Sequence, residues 1–195
     1  MAEPILIDLP EEISSDRIVV RRYRPGDGVE LFAAVDESRE HILPWMPWGP
    51  GHAAVEDSEK MVRTWYAKWA LREDLPMGIF DKATGRFIGG TGLNRIDWNL
   101  RSFEIGYWVR KSAAGQGYVT EAVRLLTGFA FDTIQANRVF IRCAVENLRS
   151  GAVARRVGFI YEGSLRNSSR DVDGRLHDML MFSLIPEDWE ALRVV

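Results

Sequence analysis

Phe103-Glu104-Ile105-Gly106-Tyr107-Trp108-Val109-Arg110, running into Lys111-Ser112-Ala113-Ala114-Gly115-Gln116-Gly117-Tyr118-Val119-Thr120-Glu121-Ala122, is the stretch on which the fold turns. Its first half reads as a strand and its second as a short glycine-containing loop opening onto a helix. Strand, loop and helix start in that order make an anion site. The first-turn N–H groups of a helix lack partners and its dipole favours negative charge. Gly115 and Gly117 let backbone approach a ligand where a side chain would stand in the way. The pattern lacks the Gly-Lys-Ser/Thr of a Walker loop and does not match GxGxxG.

Working outward, Val119, Ala122, Val123, Leu126, Phe129 and Ala130 recur at helical spacing and predict a helix from about Gly117 to Phe131. Arg138 to Val145 then reads as a strand, Leu148 to Val157 as a short helix, and Gly158 to Tyr161 and His177 to Leu184 as two final strands. Upstream, Met77 to Phe80 and Phe87 to Leu93 form a hairpin signal across a turn near Gly85, with Ser102 to Arg110 as the next strand. Ile18 to Tyr23 is a first strand ending at Pro25-Gly26, and Asp27 with Glu30 matches a capping box for a helix carrying Leu31, Phe32 and Val35. An aromatic loop, about 41–50, contains Trp45 and Trp48 among prolines, and about Val55 to Leu75 reads as a long amphipathic helix that includes Trp65. The order predicts an α/β chain.

The chain has 195 residues, 46% of them apolar, with seven Trp and nine Phe. That is enough to bury one substantial core, so residues 1–195 are expected to form a single domain. Cys143 is the one cysteine, which excludes an intrachain disulfide and a cysteine-based zinc site and points to the cytoplasm. The scattered His41, His52 and His177 suggest no metal site. The start of the chain lacks the pattern of a secretory signal, no apolar run suggests a membrane span, and a net charge of −3 argues against nucleic acid. Within this acidic chain, Arg138 to Arg175 holds eight arginines against four acids. It reads either as a solvated face or as a site for a small polyanion.

Five blocks in order give the chain a family resemblance. They are Ser15 to Arg21; Leu43-Pro44-Trp45-Met46-Pro47-Trp48; Glu104 to Val109; Gly115 to Ala122; and Glu146-Asn147-Leu148-Arg149-Ser150 with Arg156 to Gly163. On these the chain resembles the GCN5-related N-acetyltransferase (GNAT) superfamily, in its ribosomal-protein-alanine N-acetyltransferase (RimJ/RimL-like) branch. The superfamily's loop pattern Q/R-x-x-G-x-G/A falls on Ala114 to Val119, with Ala and Val at its first and last positions. The resemblance implies a mixed, mostly antiparallel sheet, flanked by helices and splayed between its fourth and fifth strands. Acetyl-CoA is implied there as cosubstrate. Its pantetheine arm would pair with backbone at Trp108, Val109 and Arg110 and with Asn147. Its pyrophosphate would meet Gly115, Gln116, Gly117, Tyr118 and Val119. Arg156, with Arg149, would face the phosphates, and guanidinium suits phosphate.

The implied reaction is direct acetyl transfer to a primary amine, a protein N-terminal α-amine or a small amine, within a ternary complex. The tyrosine that many superfamily members place four residues before the Gly of the Gly-Phe pair is Ala154 here. Ser150, one helical turn earlier on the same face, is the N-x-x-S serine that the resemblance implies acts near the sulfur, and it is the first catalytic candidate. Glu104, on one strand face with Gly106 and Trp108, is the candidate for ordering the amine or a relay water. Trp45, Trp48 and Trp65 are expected to wall the acceptor site. His177 and Asp178 are expected to make cross-strand contacts. Two rival readings are a transferase using another acyl-CoA, such as succinyl-CoA, and a non-catalytic CoA-binding regulatory module; a nucleotide-binding module is a third. A monomer or homodimer is expected.

Overall fold

A computed structural model describes residues 3–46 and 48–193. Eight strands form one sheet, β1 (Glu12–Ser14), β2 (Ile18–Arg22), β3 (Leu75–Asp81), β4 (Phe87–Asp97), β5 (Ser102–Val109), β6 (Arg138–Ala144), β7 (Ile160–Arg170) and β8 (Leu176–Leu184), in the order β1-β2-β3-β4-β5-β6-β8-β7. The helices are α1 (Gly28–Asp36), α2 (Arg39–Ile42), α3 (Val55–Leu71), α4 (Tyr118–Gly128), α5 (Leu148–Val157) and α6 (Pro186–Arg193). β1 was not expected from the sequence and moves the strand count by one, so the anticipated fourth and fifth strands are β5 and β6.

Every neighbouring pair is antiparallel except β5 with β6. That parallel pair holds register only over Ser102↔Arg138, Phe103↔Val139 and Glu104↔Phe140. Beyond Glu104 the two strands part, while β5 stays paired with β4 and β6 with β8. The expected splay is there, and it opens where the glycine-rich loop begins.

Alternation along β5 feeds two cores. Phe103 and Ile105 join a cluster with Ala122, Val123, Leu126 and Phe129 of the α4 region. Trp108 joins a second with Leu31, Val35, Val62, Phe80 and Phe87 beneath α1 and α3. Glycines in β4 make room for this. A Cβ on Gly90 would stand 2.4 Å from Trp108 Nε1, so the indole lies flat over the strand only because that side chain is missing.

Two local expectations are corrected. Asp27 caps α1 without a side-chain bond to the helix, because its carboxylate accepts from Arg21 (2.7 and 2.9 Å) and from the Arg24 N–H. The aromatic loop is more ordered than its prolines suggest, with α2 at its start and a 3-10 turn at Gly49–Gly51; Pro47 lies outside the described residues. The α4 path ends in a π-helical turn, Phe129–Thr133.

Candidate active site

Two cavities meet between the parted strands. One, of about 910 Å³, runs from the loop before α4 to α5; the other, of about 430 Å³, lies under the aromatic loop. Both are lined by Trp45, Met46, Tyr107, Trp108, Asn147 and Ser150, which therefore form the throat between them.

The larger cavity is lined in part by a loop and a helix start. Gly115 and Gly117 have φ of 78° and 83°, in the left-handed region that costs other residues about 1–2 kcal/mol. They turn the loop so that α4 starts at Tyr118 with its first N–H groups toward the cavity, which Gly115, Gly117, Tyr118, Val119 and Thr120 line. This loop is bolted at two points. Glu37 Oε1 accepts from the Ser112 N–H (3.1 Å) and hydroxyl (2.8 Å), and Ser38 Oγ accepts from the Lys111 N–H (2.9 Å). On the other side the Arg17 guanidinium donates to Gln116 O (3.3 Å) and from Nε to Glu121 Oε2 (2.8 Å).

Arg110 departs from its expected role. Its N–H donates to Ile88 O (2.9 Å), and its buried guanidinium donates to Phe87 O (3.0 Å) and Glu37 Oε2 (2.5 Å). That pairing holds the Glu37 carboxyl down at about 2. In an antiparallel ladder, alternate residues turn their backbone toward the partner. With Arg110 facing β4, Trp108 faces it too, and the backbone groups turned to the splay are those of Tyr107 and Val109. Gln116 also lies off the cavity, its amide donating to Ser112 O.

Asn147 joins two roles that sequence alone sets against each other. Its Oδ1 accepts from the Ser150 N–H (3.1 Å) as the cap of α5, which fixes the side chain beside the throat. Of the eight arginines in the basic stretch, Arg149 and Arg156 line the larger cavity, Arg156 donating to Thr120 Oγ1 (3.2 Å). Others lie elsewhere: Arg138 pairs with Glu162 and Arg155 covers the Phe182 ring, while Arg142 pairs with Glu104 in the smaller cavity.

In the throat, Ser150 Oγ donates to Tyr107 Oη (3.0 Å), and Tyr107 Oη donates to Ser150 O (2.9 Å). Burial raises the Tyr107 phenol above its ordinary range, so it stays protonated. Cys143 lies close by in the smaller cavity, and burial raises its thiol too.

The smaller cavity is walled by side chains. Tyr23, Trp45, Trp48 and Trp65 all line it, with Tyr23 and Trp65 4.7 Å apart between ring centres. Glu104 lines the same cavity, but as the shared partner of two arginines: Arg142 donates from Nε (3.1 Å) and Nη2 (3.2 Å), and Arg95 forms an ion pair with it, Nε 2.9 Å from Oε2. Its lone pairs are committed to guanidinium, which leaves it poorly placed as a base. His177 spans Asp171 (3.0 Å) and Glu146 (3.3 Å), which raise its pKa, and Trp45 meets its ring edge-on. The aromatic loop thus reaches across to the turn between β7 and β8. Asp178, its neighbour, accepts instead from the Asn167 N–H (2.8 Å).

The left-handed glycines, the open backbone of Tyr107 and Val109, and the paired arginines suit a long ligand with amide and phosphate groups. The acetyltransferase (GNAT) domain model matches residues 17–160. The chain belongs to the GNAT family. It is an acetyl-CoA-dependent N-acetyltransferase. Among relatives, YdaF of Bacillus subtilis (strain 168), provisionally named a ribosomal N-acetyltransferase, is 30% identical over 91% of this chain and 96% of its own. Of solved structures, the microcin C7 self-immunity acetyltransferase MccE, in complex with acetyl-CoA and AMP, superposes with a TM-score of 0.84 at 25% identity over 90% of this chain and 97% of its own. RimJ of Mycobacterium smegmatis, in complex with CoA-disulfide, gives 0.80 at 29% over 88% and 83%.

In this GNAT acetyltransferase, sequence reasoning missed Tyr107, Arg95, Arg142 and Glu37. Tyr107 and Ser150 are 43 positions apart and Glu104 and Arg142 38 apart, so no local pattern marks them as partners. The one available signal was that Tyr107 lies within the block that carries the resemblance.

Proposed function

We propose that the chain acetylates the free α-amine of a polypeptide N-terminus by direct transfer in a ternary complex. The observation that carries this is the throat: two cavities, one suited to the cosubstrate, meet at Ser150 and Tyr107. Acetyl-CoA supplies the acetyl group as a thioester. Donor and acceptor held on opposite sides of one opening need no carrier on the protein, and the raised thiol of Cys143 makes it a poor nucleophile.

An α-amine, with a pKa of about 7.7–8.0, is substantially neutral near pH 7–8 and needs no strong base. That suits a site where Glu104 is tied to Arg95 and Arg142. Ser150 Oγ gives a proton to the departing CoA thiolate and takes one from the ammonium formed on the acceptor nitrogen, and Tyr107 Oη, which accepts from Ser150 Oγ, holds it in place. Trp45, Trp48 and Trp65 seat the first residue of the acceptor. The names of YdaF and of other relatives support a ribosomal protein as the polypeptide.

The test is transfer itself. Purified protein is incubated with acetyl-CoA and a library of short peptides with free N-termini, and products are located by fragmentation mass spectrometry. Acetylation at the α-nitrogen, with kinetics requiring both substrates bound together, is expected. Acetylation confined to lysine side chains, or an acetyl group recovered on Cys143, would overturn the proposal.

A further inference from the structure

The acceptor cavity is lined by groups of two kinds. Besides the tryptophans it holds Arg95 and Arg142, which share a single carboxylate, Glu104. One positive charge is left over. Arg142 is largely buried, with side-chain exposure of 16%, and its Nη1 has no hydrogen-bond partner among the described residues. Arg170 also lines this cavity, its guanidinium donating to Gly174 O in the turn between β7 and β8. Asp171 lines the same cavity, held by His177 and by the N–H groups of Asp173 and Arg175; its charge balances Arg170 and leaves the surplus at Arg95 and Arg142. Arg95 is placed with some effort: it lies in the irregular stretch of β4 between Asn94 and Asp97, with φ of 45°. Such bulges redirect a side chain, here onto Glu104.

A half-paired guanidinium in a cavity lined by tryptophans calls for an anion. Glu104 and Tyr107 lie three positions apart on β5, a backbone separation of roughly 10 Å, which puts the arginines and the throat within the span of a short peptide. We propose that the preferred acceptor carries a carboxylate about 7–10 Å from its reacting amine, as a peptide with Asp or Glu at its second or third residue does. This rests on the proposed α-amine acetylation and specifies its substrate.

The experiment compares tripeptide amides that begin with alanine and carry aspartate, asparagine or lysine second, together with the asparagine peptide as a free acid. Acetyl transfer is measured, and so is peptide binding to the CoA-loaded protein. The aspartate peptide is expected to exceed the asparagine one by about tenfold in both at low salt, the lysine peptide to fall below it, and the gap to narrow as salt rises. The free acid reports whether a terminal carboxylate serves as well. Arg142→Gln should bring the aspartate-to-asparagine ratio close to one. Arg95→Gln, at an exposed side chain whose loss the fold tolerates, should lower it part of the way. A wild-type ratio within twofold in both measurements, or a ratio unmoved by both variants, overturns the inference while leaving α-amine acetylation standing. Selective binding of the aspartate peptide with no transfer to any peptide would sustain this inference and remove the proposed reaction.

Discussion

The two cavities that meet at Ser150 are made of different material. The larger includes a continuous run of chain, with left-handed glycines at 115 and 117, the first turn of α4 and the splayed edge of β5, beside side chains such as Arg149 and Arg156. The smaller is side chain, drawn from places as far apart in sequence as Trp45, Trp65, Arg95, Arg142 and His177. A backbone wall needs a contiguous run of residues with the right dihedral angles, so it passes intact through a family. A side-chain wall can be rewritten one position at a time. The donor is therefore common property of the GNAT acetyltransferases, while the acceptor belongs to this chain and has to be argued from its own residues.

The largest effect should come from damaging the backbone wall. Gly117→Val puts a β-branched residue at φ of 83°, and affinity for acetyl-CoA should drop at least about 30-fold by calorimetry. An unchanged affinity would mean that side chains such as Arg156 hold the cosubstrate, and the contrast between the cavities would lose its basis.

At the junction, Ser150→Ala should lower kcat on the order of 100-fold with little change in affinity for acetyl-CoA. Tyr107→Phe should lower it roughly tenfold, and the double variant should be no slower than Ser150→Ala alone, since Tyr107 acts through Ser150. Additive losses in that cycle would separate the two hydroxyls.

The smallest effect sharpens the contrast, because one side chain does support the backbone wall. Glu37 anchors Arg110 and Ser112 and has its carboxyl lowered to about 2 from an ordinary 4.5. The stabilisation it contributes is fully present above about pH 4.5 and fades as pH falls toward 2. Glu37→Gln should cost on the order of 1–2 kcal/mol at pH 7, after allowance for its partial exposure. By thermal melting that is a drop of about 3–6 °C, and the gap from wild type should close on acidification.

What could be read in the sequence follows the same division. Helix α5 was expected from Leu148 to Val157 and lies there, because its cap, its apolar face and its terminal Gly158 are all local. β5 and the start of α4 were equally legible. β7 runs on to Arg170, well past the Tyr161 expected, because its residues are mostly exposed and show no alternation. β1 is only three residues long, and α6 carries one buried residue, Trp189, too little periodicity to detect. Trp45, Trp48 and Trp65 were placed by composition and resemblance. The arginines around Glu104 were not, since an ion pair across two strands depends on register that no single stretch encodes.

An interior edge is an unusual thing for a sheet to keep. Unpaired strand backbone normally lies at the margin, where charge or a bulge guards it against pairing with another chain. In this protein the edge is enclosed between β5 and β6, reachable by something slender and out of reach of a second polypeptide's flat strand. On the proposed reading, a cosubstrate with its own amides would zip in as a temporary strand and unzip when spent, and turnover would be the repeated mending and fraying of one sheet.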